Sequence, residues 1–308
     1  MSIRKDFLVE CIPNVSTSNP EVIQALEHSI TSIFGCRLLN VDTGVSANRT
    51  VFTFTAPMSR VFGVAERFIE KALELIDMRD HVGVHPRFGA VDVFPFVNLE
   101  DELFTPRLVE EVASFSDRIA HKFQLPIYAY EHSSTTPARN NLADVRRGEY
   151  ESLPNRFSTG DTPDFGPQTW STHTAKHGAC ALGVRNLLIA YNVNIDSPKG
   201  TAHALEAARA IAKKIRARNG GLPGVKAIGW FLPDFDQVQV SCNITQYQHA
   251  GVLDVYRACE QAAIAFNATV SGSELIGCMP ASQLDHTSVE ELGLNSIKPF
   301  SPRLLLPL

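Results

Sequence analysis

Between residues 81 and 89 the chain reads His-Val-Gly-Val-His-Pro-Arg-Phe-Gly. Two imidazoles and a guanidinium within seven residues place groups that titrate near neutral pH beside a cation that does not titrate. Such a set suits proton transfer next to a held anion. His81 and His85 are four apart, a spacing that binds zinc when both sit on one helix face. Gly83 and Pro86 oppose a helix, however, and no glutamate follows the first histidine. The bland reading of both histidines is a half-buried loop residue bonded to backbone.

Two further stretches carry chemistry-bearing residues. Asp42 follows a strand-like run and stands before Thr43-Gly44, with Asn48-Arg49 beyond. A carboxylate there can orient an imidazole or balance its charge. The competing reading is an Asx-turn before glycine. Asp164-Phe165-Gly166-Pro167-Gln168-Thr169-Trp170, continuing to His177-Gly178-Ala179, suits a loop that clamps a flat ring, or an ordinary surface loop. No GxGxxG or P-loop pattern is present, which disfavours a nucleotide fold.

The elements that position these residues follow from pattern and punctuation. Phe7–Pro13 alternates as a strand. Pro20–Phe34 is a helix capped by Ser18 or Asn19. Arg37–Val41 and Thr50–Thr55 are strands, and Ser59 caps a helix running to about Met78. Ala90–Phe96 is the next strand, followed by helix Pro106–Phe123 and strand Ile127–Tyr130. Residues 131–183 show little periodicity beyond a short helical piece at Arg146–Ser152, which marks a linker or a site-lining segment. The order then recurs: strand Leu187–Ile195, helix Thr201–Arg218, strands Val225–Leu232 and Gln237–Ile244, helix Leu253–Phe266, strand Thr269–Leu275. Two β-α-β-β-α-β runs predict an α+β protein of two ferredoxin-like subdomains, 1–183 and 184–308, with a ligand cleft between them.

Composition sets the class. The 308 residues are 44% apolar and 20% charged, an ordinary globular mix. With 28 basic against 33 acidic residues the net charge is −5, which argues against nucleic-acid binding. No apolar run is long enough to span a membrane, and the first residues lack a signal-peptide core, so a cytoplasmic protein is expected. The six cysteines form no CxxC pair, which argues for buried thiols over zinc or disulfides.

Longer motifs add a resemblance. Glu10-Cys11-Ile12-Pro13-Asn14, Val41-Asp42-Thr43-Gly44, Asn48-Arg49-Thr50-Val51 and Leu75-Ile76-Asp77-Met78 precede the His81–Gly89 loop. Asp92-Val93, Pro95-Phe96, Gly148-Glu149-Tyr150-Glu151, Pro163-Asp164-Phe165-Gly166-Pro167, Ile228-Gly229-Trp230, Gly272-Ser273-Glu274-Leu275-Ile276-Gly277, Leu292-Gly293-Leu294 and Pro299-Phe300 follow it in order. Together they resemble the glutamate formimidoyltransferase (formiminotransferase) family along the length of the chain.

The resemblance implies transfer of a formimino group from N-formimidoyl-L-glutamate to N5 of tetrahydrofolate, within histidine degradation. It places the catalytic histidine, the proton shuttle, at His85. Asp42 is the candidate to hold it or balance its charge, and Arg49 and Arg87 are candidate carboxylate holders. Folate contacts are expected along Gly166, Pro167, Trp170 and Gly178. Tetrahydrofolate is then a co-substrate, no metal is required, a homodimer is expected, and a cyclodeaminase domain is not. Two departures stand out: Ser16-Thr17-Ser18 where the family usually has Ser-Glu-Gly, and a longer Pro167–Gly178 segment than in the animal form. The alternatives are a folate-dependent formyl or formimino transferase with another donor, and a non-catalytic folate-binding protein.

Overall fold

Proline lacks the N–H that a ladder needs, and Pro13 divides the first strand in two. In the computed structural model, which describes residues 6–100, 105–306 and 308, β1 (Leu8–Cys11) and β2 (Asn14–Val15) are successive pieces of one line. The Pro13 carbonyl still accepts from Phe52 N (2.9 Å). Helix α1 (Pro20–Thr31) follows, its first turn capped by Asn19 Oδ1, which accepts from Glu21 N (2.9 Å). Strands β3 (Arg37–Gly44) and β4 (Arg49–Pro57) form a hairpin, and α2 (Met58–Leu75) leads toward β5 (Val91–Asn98).

The cap expected from Ser59 comes from elsewhere. Ser59 lies inside the first turn of α2, and Asp6 accepts from both its N (2.9 Å) and its Oγ (2.7 Å). The helix also stops at Leu75, because Asp77 caps a separate short turn at Met78–Asp80.

The first sheet has the order β3-β4-(β1, β2)-β5 with antiparallel neighbours. Helix α3 (Thr105–Phe123) then leads to β6 (Ile127–Ala129), and β7 (Cys180–Val184) inserts parallel between β5 and β6. Phe52, Phe54, Phe68, Phe94, Phe96 and Phe115 pack in the core under α1, α2 and α3.

Residues 131–183 are more structured than their periodicity suggests. They hold α4 (Leu142–Val145), α5 (Glu149–Thr159), α6 (Thr172–His177) and β7. Leu153 and Phe157 of α5 pack with Phe88, Val93, Tyr128 and Tyr130 in a second apolar cluster.

The chain divides into two compact units, residues 1–186 and 187–308. Arg185 N still bonds the Phe96 carbonyl (3.1 Å), which keeps this stretch with the first sheet. The second unit runs β8 (Ile189–Asp196), α7 (Thr201–Ile215), β9 (Val225–Leu232), β10 (Gln237–Ile244), α8 (Val252–Ile264) and β11 (Thr269–Ile276). Its sheet order is β11-β8-β10-β9, antiparallel throughout. Buried amides and a carboxylate share one face of it: Gln239 Nε2 donates to Asn194 Oδ1 (3.0 Å) and Glu274 Oε2 (3.3 Å), and Asn192 Nδ2 donates to the same Glu274 oxygen (3.3 Å). No described helix is long and apolar enough to cross a membrane.

Glu10 on β1 is 1% exposed, and its Oε2 has no partner among the described residues. Burial, opposed in part by the Arg185 charge, raises its carboxyl from 4.5 to about 7. A raised carboxyl keeps its full contribution below the unfolded value and loses it as pH rises toward 7. Glu10→Gln should therefore gain stability over wild type at pH 8 by about 1–3 kcal/mol. The gain should shrink toward pH 5, as read from urea midpoints at both pH values; a gain independent of pH would contradict the assignment.

Candidate active site

The histidine loop lies along the β3–β4 turn. Val84 N donates to the Ser46 carbonyl (3.1 Å), and Asn48 Nδ2 donates to the Val82 carbonyl (2.9 Å). Gly83 is required by proximity, since a Cβ there would meet the Ala47 backbone carbonyl. Asn48 holds φ +46°, and its Oδ1 accepts from Ser18 N (2.9 Å) and Ser18 Oγ (3.0 Å). One asparagine thus ties the loop, the hairpin turn and the approach to α1.

At its other end the loop crosses the strand of chain leading into β7. Ala90 N donates to the His177 carbonyl (2.8 Å) and Ala179 N to the Phe88 carbonyl (3.0 Å). Gly89 and Gly178 face each other at this crossing, and a Cβ on either would strike backbone.

Within this frame the two histidines diverge. His81 Nε2 donates to the Asn48 carbonyl (2.9 Å), and its Nδ1 accepts from Arg87 Nε (3.3 Å). Both ring nitrogens are committed, and burial, with the Arg87 charge, lowers its pKa against the pull of the Asn48 carbonyl. His85 Nδ1 lies 2.7 Å from the Pro86 carbonyl, which can only accept, so Nδ1 carries the hydrogen. Nε2 then carries a lone pair and has no partner among the described residues. Burial and the Arg49 charge, reinforced by Arg146, pull the imidazole down to about 4 despite the Pro86 acceptor and Asp92. At neutral pH His85 is an unprotonated base.

The carboxylate that acts on His85 is Asp92 of β5, which is fully buried. Arg49 Nη1 pairs with its Oδ2, Arg146 Nη2 lies 2.9 Å from the same oxygen, and Phe88 N donates to Oδ1 (2.8 Å). Burial opposes ionisation of Asp92, but the two guanidiniums outweigh it and its pKa is lowered. Sequence reasoning quoted Asp92 only within a motif and gave no role to it or to Arg146. The available signal was a charged residue inside the apolar strand Ala90–Phe96, where a buried carboxylate demands a cationic partner.

The other expected residues are placed as follows. Arg49 spends its second arm on Asn14 Oδ1 (2.8 Å). Arg87 makes a fork with Glu151 (2.8 and 2.5 Å) and approaches Glu149 (3.4 Å). Asp42 stands on β3 opposite Val51, accepting from Asn40 Nδ2 (2.5 Å). Gly166, with φ +91°, lies against the Leu125 carbonyl at the start of β6, with Pro167 next. Trp170 is half-buried, its ring edge-on to Tyr150 and Phe157. Gly178 meets the histidine loop at Gly89. Among the described residues no group of three His, Cys, Asp or Glu side chains is placed to hold a metal.

The family model for the formiminotransferase domain, N-terminal subdomain, matches residues 8–185, and that for the formiminotransferase domain matches residues 190–288. The chain belongs to the formiminotransferase family. A formiminotransferase relative from Streptococcus pyogenes serotype M1, named glutamate formimidoyltransferase, is 38% identical, with 90% of each chain covered. The glutamate formimidoyltransferase of Thermoplasma acidophilum is 34% identical over 94% of this chain and 93% of its own. The formimidoyltransferase-cyclodeaminase of Rattus norvegicus is 35% identical over 96% of this chain, which spans 58% of that protein's length.

Gly83→Ala should lift the loop of this formiminotransferase chain from the hairpin turn. The expected cost is about 1–3 kcal/mol in a urea titration, together with loss of the His81 to Asn48 bond. A variant of wild-type stability would contradict the contact.

Proposed function

We propose that this chain is a glutamate formimidoyltransferase. It moves the formimino group of N-formimidoyl-L-glutamate to N5 of tetrahydrofolate, the co-substrate, and releases L-glutamate, in histidine degradation. Family membership and the names of the relatives covered almost end to end support the reaction class. The observation that carries the mechanism is His85, anchored through Nδ1 with Nε2 open. We also read both units as ferredoxin-like, on the strength of their β-α-β-β-α-β order and their antiparallel strand orders.

As N5 attacks the formimino carbon, its N–H becomes that of an acidic ammonium. His85 Nε2 takes this proton, giving a neutral tetrahedral adduct. An imidazolium destabilised by burial and two guanidiniums is a strong acid. It returns the proton to the glutamate nitrogen as the bond from carbon to that nitrogen breaks, leaving the formimino group on N5. One residue serves both halves of the transfer.

In this reading Arg49 and Arg87, whose arms close on protein oxygens, act first as scaffold for the loop. The folate ring lies toward the Gly166–Gly178 segment, with Trp170 offering an apolar edge. In this reading Asp92 is the carboxylate that acts on His85, and Asp42 stands on β3 bonded by Asn40.

An absorbance assay with formiminoglutamate and tetrahydrofolate tests the proposal. Wild type should turn over and His85→Ala should lose at least about a hundredfold in kcat. Its circular dichroism and urea midpoint should stay near wild type. Near-normal turnover by the variant would remove His85 from the base role. Turnover with other formimino or formyl donors but none with formiminoglutamate would overturn the substrate assignment.

A further inference from the structure

Arg146 and Arg147 are consecutive residues with opposite fates. Arg147 is 80% exposed and pairs with Asp144 on the surface. Arg146 is 13% exposed and turns inward from the end of α4, where its own N bonds the Leu142 carbonyl (3.0 Å). Its Nη2 donates to the Pro86 carbonyl (2.5 Å) and lies 2.9 Å from Asp92 Oδ2. The Pro86 oxygen is the same one that accepts the His85 Nδ1–H. Arg146 Nε, buried, has no protein partner among the described residues. The side chain is therefore placed by what Nη2 reaches.

We propose that Arg146 is a positioning residue for the transfer: anchored on Asp92, it holds the Pro86 carbonyl where that oxygen fixes His85 in the tautomer with Nε2 free. The inference rests on the reading of His85 as the base. Two effects follow from one guanidinium. It fixes the acceptor in space, which sets the direction of the Nε2 lone pair. It also draws electron density from that acceptor and adds like charge, and both disfavour a protonated imidazole.

The charged groups around His85 are Arg49 from β4, Asp92 from β5 and Arg146 after α4. His81 and Arg87 share its loop, and Arg87 is closed off by Glu149 and Glu151 of α5. One carboxylate faces two guanidiniums at the anchor, so removing Arg146 leaves the Asp92–Arg49 pair balanced.

The test uses the full chain carrying Arg146→Met, Arg146→Lys or, as control, Arg147→Met. His85 is titrated by NMR through its ring protons and nitrogens, and kcat and KM are measured across pH. Arg146→Met should raise the His85 midpoint by about one pH unit and move the acid limb of kcat with it. It should lower kcat at pH 7 by about tenfold while KM for formiminoglutamate stays within about twofold. Arg146→Lys should return the midpoint most of the way, and Arg147→Met should match wild type. If Arg146→Met unfolds, the neutral Arg146→Gln carries the same expectation.

A wild-type His85 midpoint and acid limb in the neutral variants would overturn the inference. The two failures are separable. An active His85→Ala variant removes the base itself. An inactive one, alongside an unmoved midpoint in Arg146→Met, removes only the role of Arg146.

Discussion

A carboxylate without contact with water has to be paired, and Asp92 collects three partners to meet that demand. They come from three stretches of chain: Arg49 at the start of β4, Arg146 after α4, and the backbone N–H of Phe88. The buried charge therefore does what apolar packing alone does poorly, since it fixes which groups meet and in what direction. Two guanidiniums against one carboxylate leave surplus positive charge, and that surplus falls on His85. The electrostatics of the site are a by-product of solving a folding problem.

Main-chain oxygens then assign the roles. Asn48 and Pro86 each present a carbonyl to an imidazole, but to different nitrogens. His81 has its second nitrogen filled by Arg87 and becomes a strut. His85 keeps its second nitrogen open and, in the proposed transfer, serves as the base. Nothing in the side-chain chemistry separates the two residues; the difference lies in how the loop turns between them.

Local signals explain how much was legible in the sequence. Strands β9 and β10 begin and end at the residues expected for them, and Asn19 caps α1 as its position before Pro20 implies. The loop was found from its residue types. What stayed hidden was non-local. The cap on α2 comes from Asp6, far back in the chain. Helix α5 follows Gly148, with φ +77°, and contains Pro154, so the usual helix signals are weak there. The partnership of Asp92 with Arg146 spans more than fifty residues, and the tautomer of His85 depends on a backbone atom that a residue code does not display.

The crossing of Phe88–Ala90 over His177–Ala179 has a separate consequence. It is made of main-chain bonds and two facing glycines, so it depends little on the side chains around it. The stretch between Arg146 and His177 is fixed at both ends and, between them, by α5 in the second apolar cluster and by Phe165 at Ile127. Insertions and deletions in the outer part of that stretch can be absorbed as bulges before the crossing is reached. Length variation there can reshape the surface of the segment while the crossing keeps the histidine loop in register.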